Sequence, residues 1–307
     1  MATRLTLTPP EDYVLHRDVC SYGYFLLAPN RWVPSTKTLS RPLTLSDGEV
    51  VDVNIQQEEC AGGALTVRSK TTIPREEHTE VREQIQRMLW LSDDDVKNFH
   101  KVDPRWKSSG RGRFFRSPTF FEDVVKTVTS CNIRWSGTMT MNSRLCEVFG
   151  PGFPSARRLA RAKPATLRSR CRVGYRDKRL IELAKLVVRG EVEESRYADP
   201  ERPDDEVFKV LQGLPGVGPY AAANIMQLLG RFKRLPIDTE AMRHAREVLG
   251  LKGSEASLRK QLEQHYRPFG EHRFRSYWFE LWTRYEGRHG PAWTWEASAS
   301  GRVLTGS

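Results

Sequence analysis

Residues 211–238 read LQGLPGVGPYAAANIMQLLGRFKRLPID, and the rest of the chain is organised around them. Upstream, Val207, Val210, Leu211 and Leu214 recur at helical spacing. Leu214-Pro215-Gly216-Val217-Gly218 then interrupts the helix with two glycines. Pro219 suits the first position of a new helix, where a missing N–H costs nothing, which makes Gly218 its N-cap. The pattern is helix, glycine hairpin, helix. Unpaired N–H groups at the start of the second helix point out of a loop with little side chain in the way, and such groups hold a phosphate oxygen. A tight turn between two packed helices is the alternative reading of the same glycines. Asp238 follows Gly218 by twenty residues.

A chain of 307 residues accommodates one or two domains and a sizeable core. With 38% hydrophobic and 28% charged residues it reads as soluble and globular, not disordered. The formal charge of +11 favours a polyanionic partner, most simply nucleic acid, although a solvated basic surface has the same composition. The five cysteines, Cys20, Cys60, Cys131, Cys146 and Cys171, are scattered with no CxxC pair. An odd count without a framework points to a reducing compartment. The N-terminus, MATRLTLTPP, has no apolar signal region, and no run approaches a membrane span. No metal or other cofactor is implied, because neither HxxxH nor paired Cys/His spacing occurs.

The expected fold class is α+β, with a β-rich N-terminal part followed by an all-helical domain. Residues 1–70 read as β-rich: Tyr22–Ala28 is an aromatic and aliphatic run, and Asp47-Gly48 separates Leu43 and Leu45 from the alternating Val51, Val53 and Ile55, a hairpin signal. Leu65 and Val67 offer a further strand. Residues 76–100 turn helical, with Ser92-Asp93-Asp94-Asp95 as a helix start. Lys107–Arg116, KSSGRGRFFR, reads as a basic connector, either a linker or a strand-facing loop, and the domain boundary is placed near it. The division expected is 1–113, 114–297 and a disordered tail over 298–307. Ser117-Pro118 opens a helix with Phe121, Val124, Val125 and Val128 on one face. Further helices are expected over Lys178–Arg189, over Thr239–Leu249 up to the C′ glycine Gly250, and over Arg273–Tyr285. The last carries a stripe of Phe274, Tyr277, Trp278, Leu281, Trp282 and Tyr285 that reads as core, with one or two rings free to line a cleft.

Five motifs come in one order: SCN at 130–132, VGYRDKRL at 173–180, LPGVG at 214–218, PID at 236–238 and PFGEHRFRSYWFELW at 268–282. This ordered set resembles the helix-hairpin-helix (HhH-GPD) DNA glycosylases, the superfamily of the 8-oxoguanine, 3-methyladenine, adenine-mismatch and thymine-mismatch enzymes. The resemblance covers roughly residues 114–287. CSYGYFLLAPNRW at 20–32, followed by Ser40-Arg41-Pro42, looks like the small antiparallel domain of the 8-oxoguanine and 3-methyladenine branch. It implies that LPGVG is the family's DNA-binding hairpin and that Asp238 matches the catalytic aspartate. Part of the family has a lysine at the second position after the last hairpin glycine, where this chain has Tyr220. The four-cysteine iron–sulfur loop of some relatives is missing, since no cysteine follows Cys171.

The chemistry agrees with these positions. Breaking an N-glycosidic bond builds positive charge on the deoxyribose, and a carboxylate near C1′ stabilises it or activates a water. Asp238 is the candidate; an Asp before a helix is also an N-cap, and the two roles are compatible because capping sets the direction of the carboxylate. The base must leave the stack first, and something must fill the gap. Asn132, with Ile133, Arg134 and Trp135 after it, sits where the family inserts a loop; a helix C-terminal Asn followed by a core Trp is the other reading. Main-chain N–H groups of Gly216, Gly218 and their neighbours would grip backbone phosphates without reading sequence. Arg176, Lys178 and Arg179 read as a solvated or helix-packing face. Tyr24, Trp135, Tyr220, Trp278 and Trp282 are candidate pocket rings.

The resemblance thus implies a monofunctional DNA N-glycosylase of base excision repair that excises alkylated purines. Oxidised guanine and mismatched thymine or uracil stand behind as substrates, and a non-catalytic helix-hairpin-helix DNA-binding protein is the rival class. The expected partner is double-stranded DNA with a damaged base. The chain is expected to be a monomer, in the cytoplasm or nucleoid of a bacterium or the nucleus of a eukaryote.

Overall fold

The computed structural model describes residues 2–92 and 95–296. Asp93 and Asp94 of the expected helix start, and the tail 298–307, lie outside the described residues.

The chain is a mixed α+β protein. Strands β1 (Thr3–Leu7), β2 (Arg31–Val33), β3 (Thr38–Thr44), β4 (Val50–Gln57) and β5 (Leu65–Ser69) form one antiparallel sheet in the order β1-β5-β4-β3-β2. Alternation explains it: Val51, Val53 and Ile55 are buried while the residues between them are not. The Asp47-Gly48 turn joins β3 to β4, with Leu43 opposite Val51 and the Leu45 N–H donating to Glu49 O at 2.9 Å.

Tyr22–Ala28 departs from the β-rich reading. Tyr22 to Leu27 are all buried, and Gly23–Leu26 form a 3-10 turn. A run buried on every side lacks the two-residue alternation of a half-buried strand, so its composition alone carried no strand signal.

Lys107–Arg116 starts exposed, but it is not a solvated linker throughout. Its end runs through the interior, with Arg113, Phe114, Phe115 and Arg116 all buried. Phe114 stacks on Phe279 with centroids 5.2 Å apart. Arg113 pairs with Asp12 at 2.7 Å, and Arg116 bonds Leu228 O at 2.9 Å while lying over the Trp90 ring at 3.9 Å. Charge and glycine suggested a solvated connector, but the two phenylalanines decide its place, and each arginine follows them inside because it has a specific acceptor.

Helices dominate from Phe120 onward. The first, Phe120–Ser130, starts two residues later than Ser117-Pro118 suggests, because Thr119 is its N-cap and accepts from Glu122 N. The helix before the glycine turn is Asp204–Gln212, buried at Val207 and Leu211, whereas Val210 faces solvent. The helix after it is Pro219–Leu228, with Gly218 as N-cap and Pro219 in the first turn. Asp177–Val188 and Thr239–Glu247 match the expected helices to within two residues, and Arg273–His289 continues four residues past the expected end at Tyr285.

The buried apolar residues form two clusters. One joins residues of the sheet and its flanking segments, up to Phe115, with residues from Leu228 to Trp295. The other spans Phe120 to Leu229. The C-terminal helix Arg273–His289 therefore packs with the N-terminal part: Trp282 Nε1 donates to Cys20 O at 3.0 Å and Trp278 Nε1 to Ser21 O at 2.8 Å.

Candidate active site in the cleft between the two cores

A cleft of about 1940 Å³ is lined by residues of both clusters, such as Tyr22, Tyr24 and Tyr285 of the first and Val128, Leu214 and Val217 of the second, and by Asn132, Trp135, Gly216, Gly218, Tyr220, Asp238 and Trp278. Residues as far apart in sequence as Tyr22 and Tyr285 thus line one cleft, and Tyr22 shares it with Asp238.

Asp238 caps the helix Thr239–Glu247, its Oδ1 accepting from the Ala241 N–H at 2.9 Å. That bond aims a part-buried carboxylate into the cleft. Burial pushes its pKa up, and the Glu240 charge adds to this. The Ala241 N–H bond and the nearby Tyr220 phenol pull the other way, and the net shift is upward from the ordinary 3.8. Removal from water disfavours the charged form, so the carboxylate is a stronger base than a solvated one. The Tyr220 phenol is held well above its ordinary pKa by burial and by the Asp238 charge, so it stays protonated and serves as a donor.

The glycine turn supplies a different wall. Gly216 has φ +86, a conformation that L side chains rarely adopt, and a Cβ there would meet Val128 Cγ1 at 3.1 Å. Gly218 is different. Its φ is −92, which any residue tolerates, and a Cβ there would meet nothing within 4 Å. The turn needs Gly216 for its shape, whereas Gly218 leaves open space before the first N–H groups of the helix Pro219–Leu228. Leu214 and Val217 are buried beneath, anchoring the turn.

Asn132 lies in the four-residue loop between the helices Phe120–Ser130 and Trp135–Phe149, with φ +52, and is exposed. Its Nδ2 lies 3.5 Å from the Tyr175 hydroxyl. Ile133 and Tyr175 stand beside it, 43% and 52% exposed, unusually high for large apolar side chains. Arg176 is buried, not solvated: its guanidinium donates to the carbonyl oxygens of Val128 (3.1 Å) and Cys131, and so fixes the loop from below. Lys178 and Arg179 are exposed, and Arg179 lines the cleft.

Of the five candidate rings, Tyr24, Trp135, Tyr220 and Trp278 line the cleft. Trp282 does not. It is 1% exposed and stacks behind Trp278 at 5.4 Å, so it is core. Trp135 is part-buried, with its Nε1 shielded and lacking a hydrogen-bond partner.

Sequence reasoning missed several lining residues. Glu240 holds two partners, accepting from Tyr285 Oη at 2.7 Å and pairing with Arg243. Asn224 donates to Tyr220 O at 3.0 Å and accepts from Tyr22 Oη at 3.4 Å. The Glu240–Arg243 pair was available as an i, i+3 spacing. The Asn224–Tyr22 contact had no local signal. Among the described residues, no lysine lines the cleft.

No protein-family model matches the sequence, and no curated protein matches it either. Solved structures do match in fold. The 3-methyladenine DNA-glycosylase from Archaeoglobus fulgidus aligns with a TM-score of 0.69 at 19% identity, over 91% of this chain and 98% of that one. MBOgg1 in complex with a low-affinity DNA ligand gives 0.64 at 19% identity, over 93% and 96%. The apo-form of the 8-oxoguanine glycosylase/lyase from Clostridium acetobutylicum gives 0.61 at 19% identity, over 91% and 95%. The chain thus has the fold of the 3-methyladenine and 8-oxoguanine DNA glycosylases.

Proposed function

We propose that this protein is a monofunctional DNA N-glycosylase that flips a damaged base out of the duplex and releases it by hydrolysis, in base excision repair. The observation that carries the reading is the part-buried Asp238 carboxylate, aimed into the cleft by the Ala241 N–H and raised in basicity by burial. In this reading the glycine turn holds backbone phosphate through the N–H groups around Gly216 and Gly218. Asn132, with Ile133 and Tyr175 beside it, fills the space the base leaves. Asp238 then stabilises the positive charge that grows on the sugar, or activates the attacking water. The helical part from residue 114 to 297 is read as a helix-hairpin-helix glycosylase domain, and 1–113 as the domain that completes the cleft with Tyr22 and Tyr24.

The monofunctional reading rests on Tyr220. A phenol that stays protonated beside Asp238 is no amine nucleophile, and no described lysine lines the cleft to replace it.

The substrate class proposed is an alkylated purine. A purine alkylated at N3 or N7 is cationic and its glycosidic bond is already weak. Aromatic faces attract such a cation by roughly 0.5–2 kcal/mol, and Tyr24, Trp135, Tyr220 and Trp278 supply rings. The fold is shared with enzymes named for 3-methyladenine and for 8-oxoguanine, so 8-oxoguanine is the second reading. The test is a competition among duplexes carrying 3-methyladenine, 7-methylguanine, 8-oxoguanine, and a G·T or G·U pair, with released bases identified by mass spectrometry. Release of methylpurine is expected. Release of 8-oxoguanine or a mismatched pyrimidine alone overturns the substrate class, and no release of any base favours a non-catalytic DNA-binding protein.

A further inference from the structure

The excess positive charge of this chain is concentrated in one stretch. Residues 157–172 carry seven Arg and Lys and no Asp or Glu. Without them the chain has 42 Lys and Arg against 38 Asp and Glu, close to neutral. The basic balance that points to a polyanion is therefore a property of this face.

The stretch folds as two short helices, Ala156–Ala160 and Pro164–Ser169, both packed on the helix Asp177–Val188. Leu159, Leu167 and Cys171 point into the core and are fully buried. That turns all seven cations outward, and each is exposed. Arg168 pairs with Asp177 at 2.7 Å, and Arg158 donates to Gly150 O at 3.2 Å. Among the described residues, no carboxylate pairs with Arg157, Arg161, Lys163, Arg170 or Arg172. Glu147 is the nearby acid, on the helix Trp135–Phe149, where it accepts from Ser143 Oγ at 2.7 Å. Five cations within sixteen residues of chain and without paired carboxylates repel one another, a cost that a polyanion removes.

The face adjoins the cleft. Tyr175 lines it and follows Arg172 by three residues, so their Cα atoms are within about 11 Å, the reach of three extended residues. A duplex seated across the cleft continues beyond the lesion at about 34 Å per turn, long enough to reach a face next to it.

We propose that Arg157, Arg161, Lys163, Arg170 and Arg172 form an accessory phosphate-binding face that holds the DNA duplex outside the lesion site and lengthens the sequence-independent footprint. The inference rests on the DNA-binding part of the proposed function and deepens it. It involves no residue of the base-release machinery.

The test is binding of undamaged duplexes of about 12 and about 30 base pairs, followed by fluorescence anisotropy across a salt series. Each phosphate contact contributes about 0.9 to the slope of log K against log salt. The wild type should show a steeper slope on the long duplex, by roughly 2–4 if several of the five engage. The variant R157Q/R161Q/K163Q/R170Q/R172Q should show the same shallow slope on both lengths, while R157K/R161K/R170K/R172K keeps the wild-type difference because phosphate contact needs charge and not a guanidinium. Base release from saturating short duplex should be unchanged in both variants, which also verifies folding. Equal slopes on both lengths in the wild type would overturn the proposal. So would an equal loss on both lengths in the glutamine variant, which would place the cations in the lesion grip. Unchanged DNA slopes with loss of binding to polyglutamate would assign the face to an acidic protein instead. A length-dependent slope in a chain that releases no base would refute the enzymatic reading and leave this one standing.

Discussion

The Ala241 N–H donates to Asp238 Oδ1 at 2.9 Å, so one carboxylate both caps the helix Thr239–Glu247 and faces the cleft. Asp238→Asn preserves an N-cap acceptor, since Asn caps as well as Asp, but removes the negative charge. Base release should fall by at least ~100-fold, the scale of a positioned acid/base or electrostatic group, with DNA affinity retained. Single-turnover kinetics at matched DNA occupancy measure this, and near wild-type rates would end the catalytic role of Asp238.

The raised pKa of Asp238 has two consequences of opposite benefit. The reaction needs the carboxylate, so the rate should fall on the acid side as pH drops through the raised value, above the ordinary 3.8. Stability runs the other way. A folded pKa above the unfolded one means that the folded state holds the proton more tightly. The contribution is complete below 3.8 and is lost as pH rises through the folded value. At neutral pH the ionised side chain therefore costs stability, and Asp238→Asn should melt no lower than the wild type there. A melting-temperature difference that does not change across the acid range would contradict this linkage.

Tyr220→Phe removes the phenolic hydroxyl that pulls the Asp238 pKa down. The acid limb of the rate profile should therefore move to higher pH, while DNA binding holds. The same position predicts the product. Borohydride should trap no covalent complex, and the DNA should remain an intact abasic strand until base is added. Strand nicking by the protein alone would sink the monofunctional reading.

The two hairpin glycines should respond differently. Gly216→Ala forces a side chain into φ +86 with a 3.1 Å approach to Val128, and should lower stability by roughly 1 kcal/mol or more. Gly218→Val meets open space and should cost only the poorer N-cap, about 1 kcal/mol or less. It should also weaken binding equally on all DNA sequences, as expected for phosphate contact. Titrations of several unrelated duplexes check it; a loss confined to one sequence would exclude a phosphate role.

Phe114→Ala tests the buried strap. The ring is 1% exposed and stacks on Phe279, so its loss should cost about 3–5 kcal/mol. Denaturant unfolding reads this directly, and a change below 1 kcal/mol would restore the connector reading.

Local rules made much of this protein legible. The glycine turn, Pro219 at the first helical position, the Asp238 cap and the β3–β4 hairpin depend on backbone constraints that act within a few residues, so short stretches encode them. The stripe on Arg273–His289 showed an apolar face in the same way, with Trp282 in the core and Trp278 at the cleft. Tertiary structure decided the rest. Nothing local says that the C-terminal helix packs against Cys20 and Ser21, that Phe114 and Phe115 carry a basic segment through the interior, or that Tyr22 meets Asn224 across 202 positions. These are long-range contacts, set by which apolar faces cover one another, and neither periodicity nor spacing records the partner. The raised basicity of Asp238 belongs to the same class. Its aspartate and its cap can be read in sequence, but the burial that shifts it exists only when the chain has closed around the cleft.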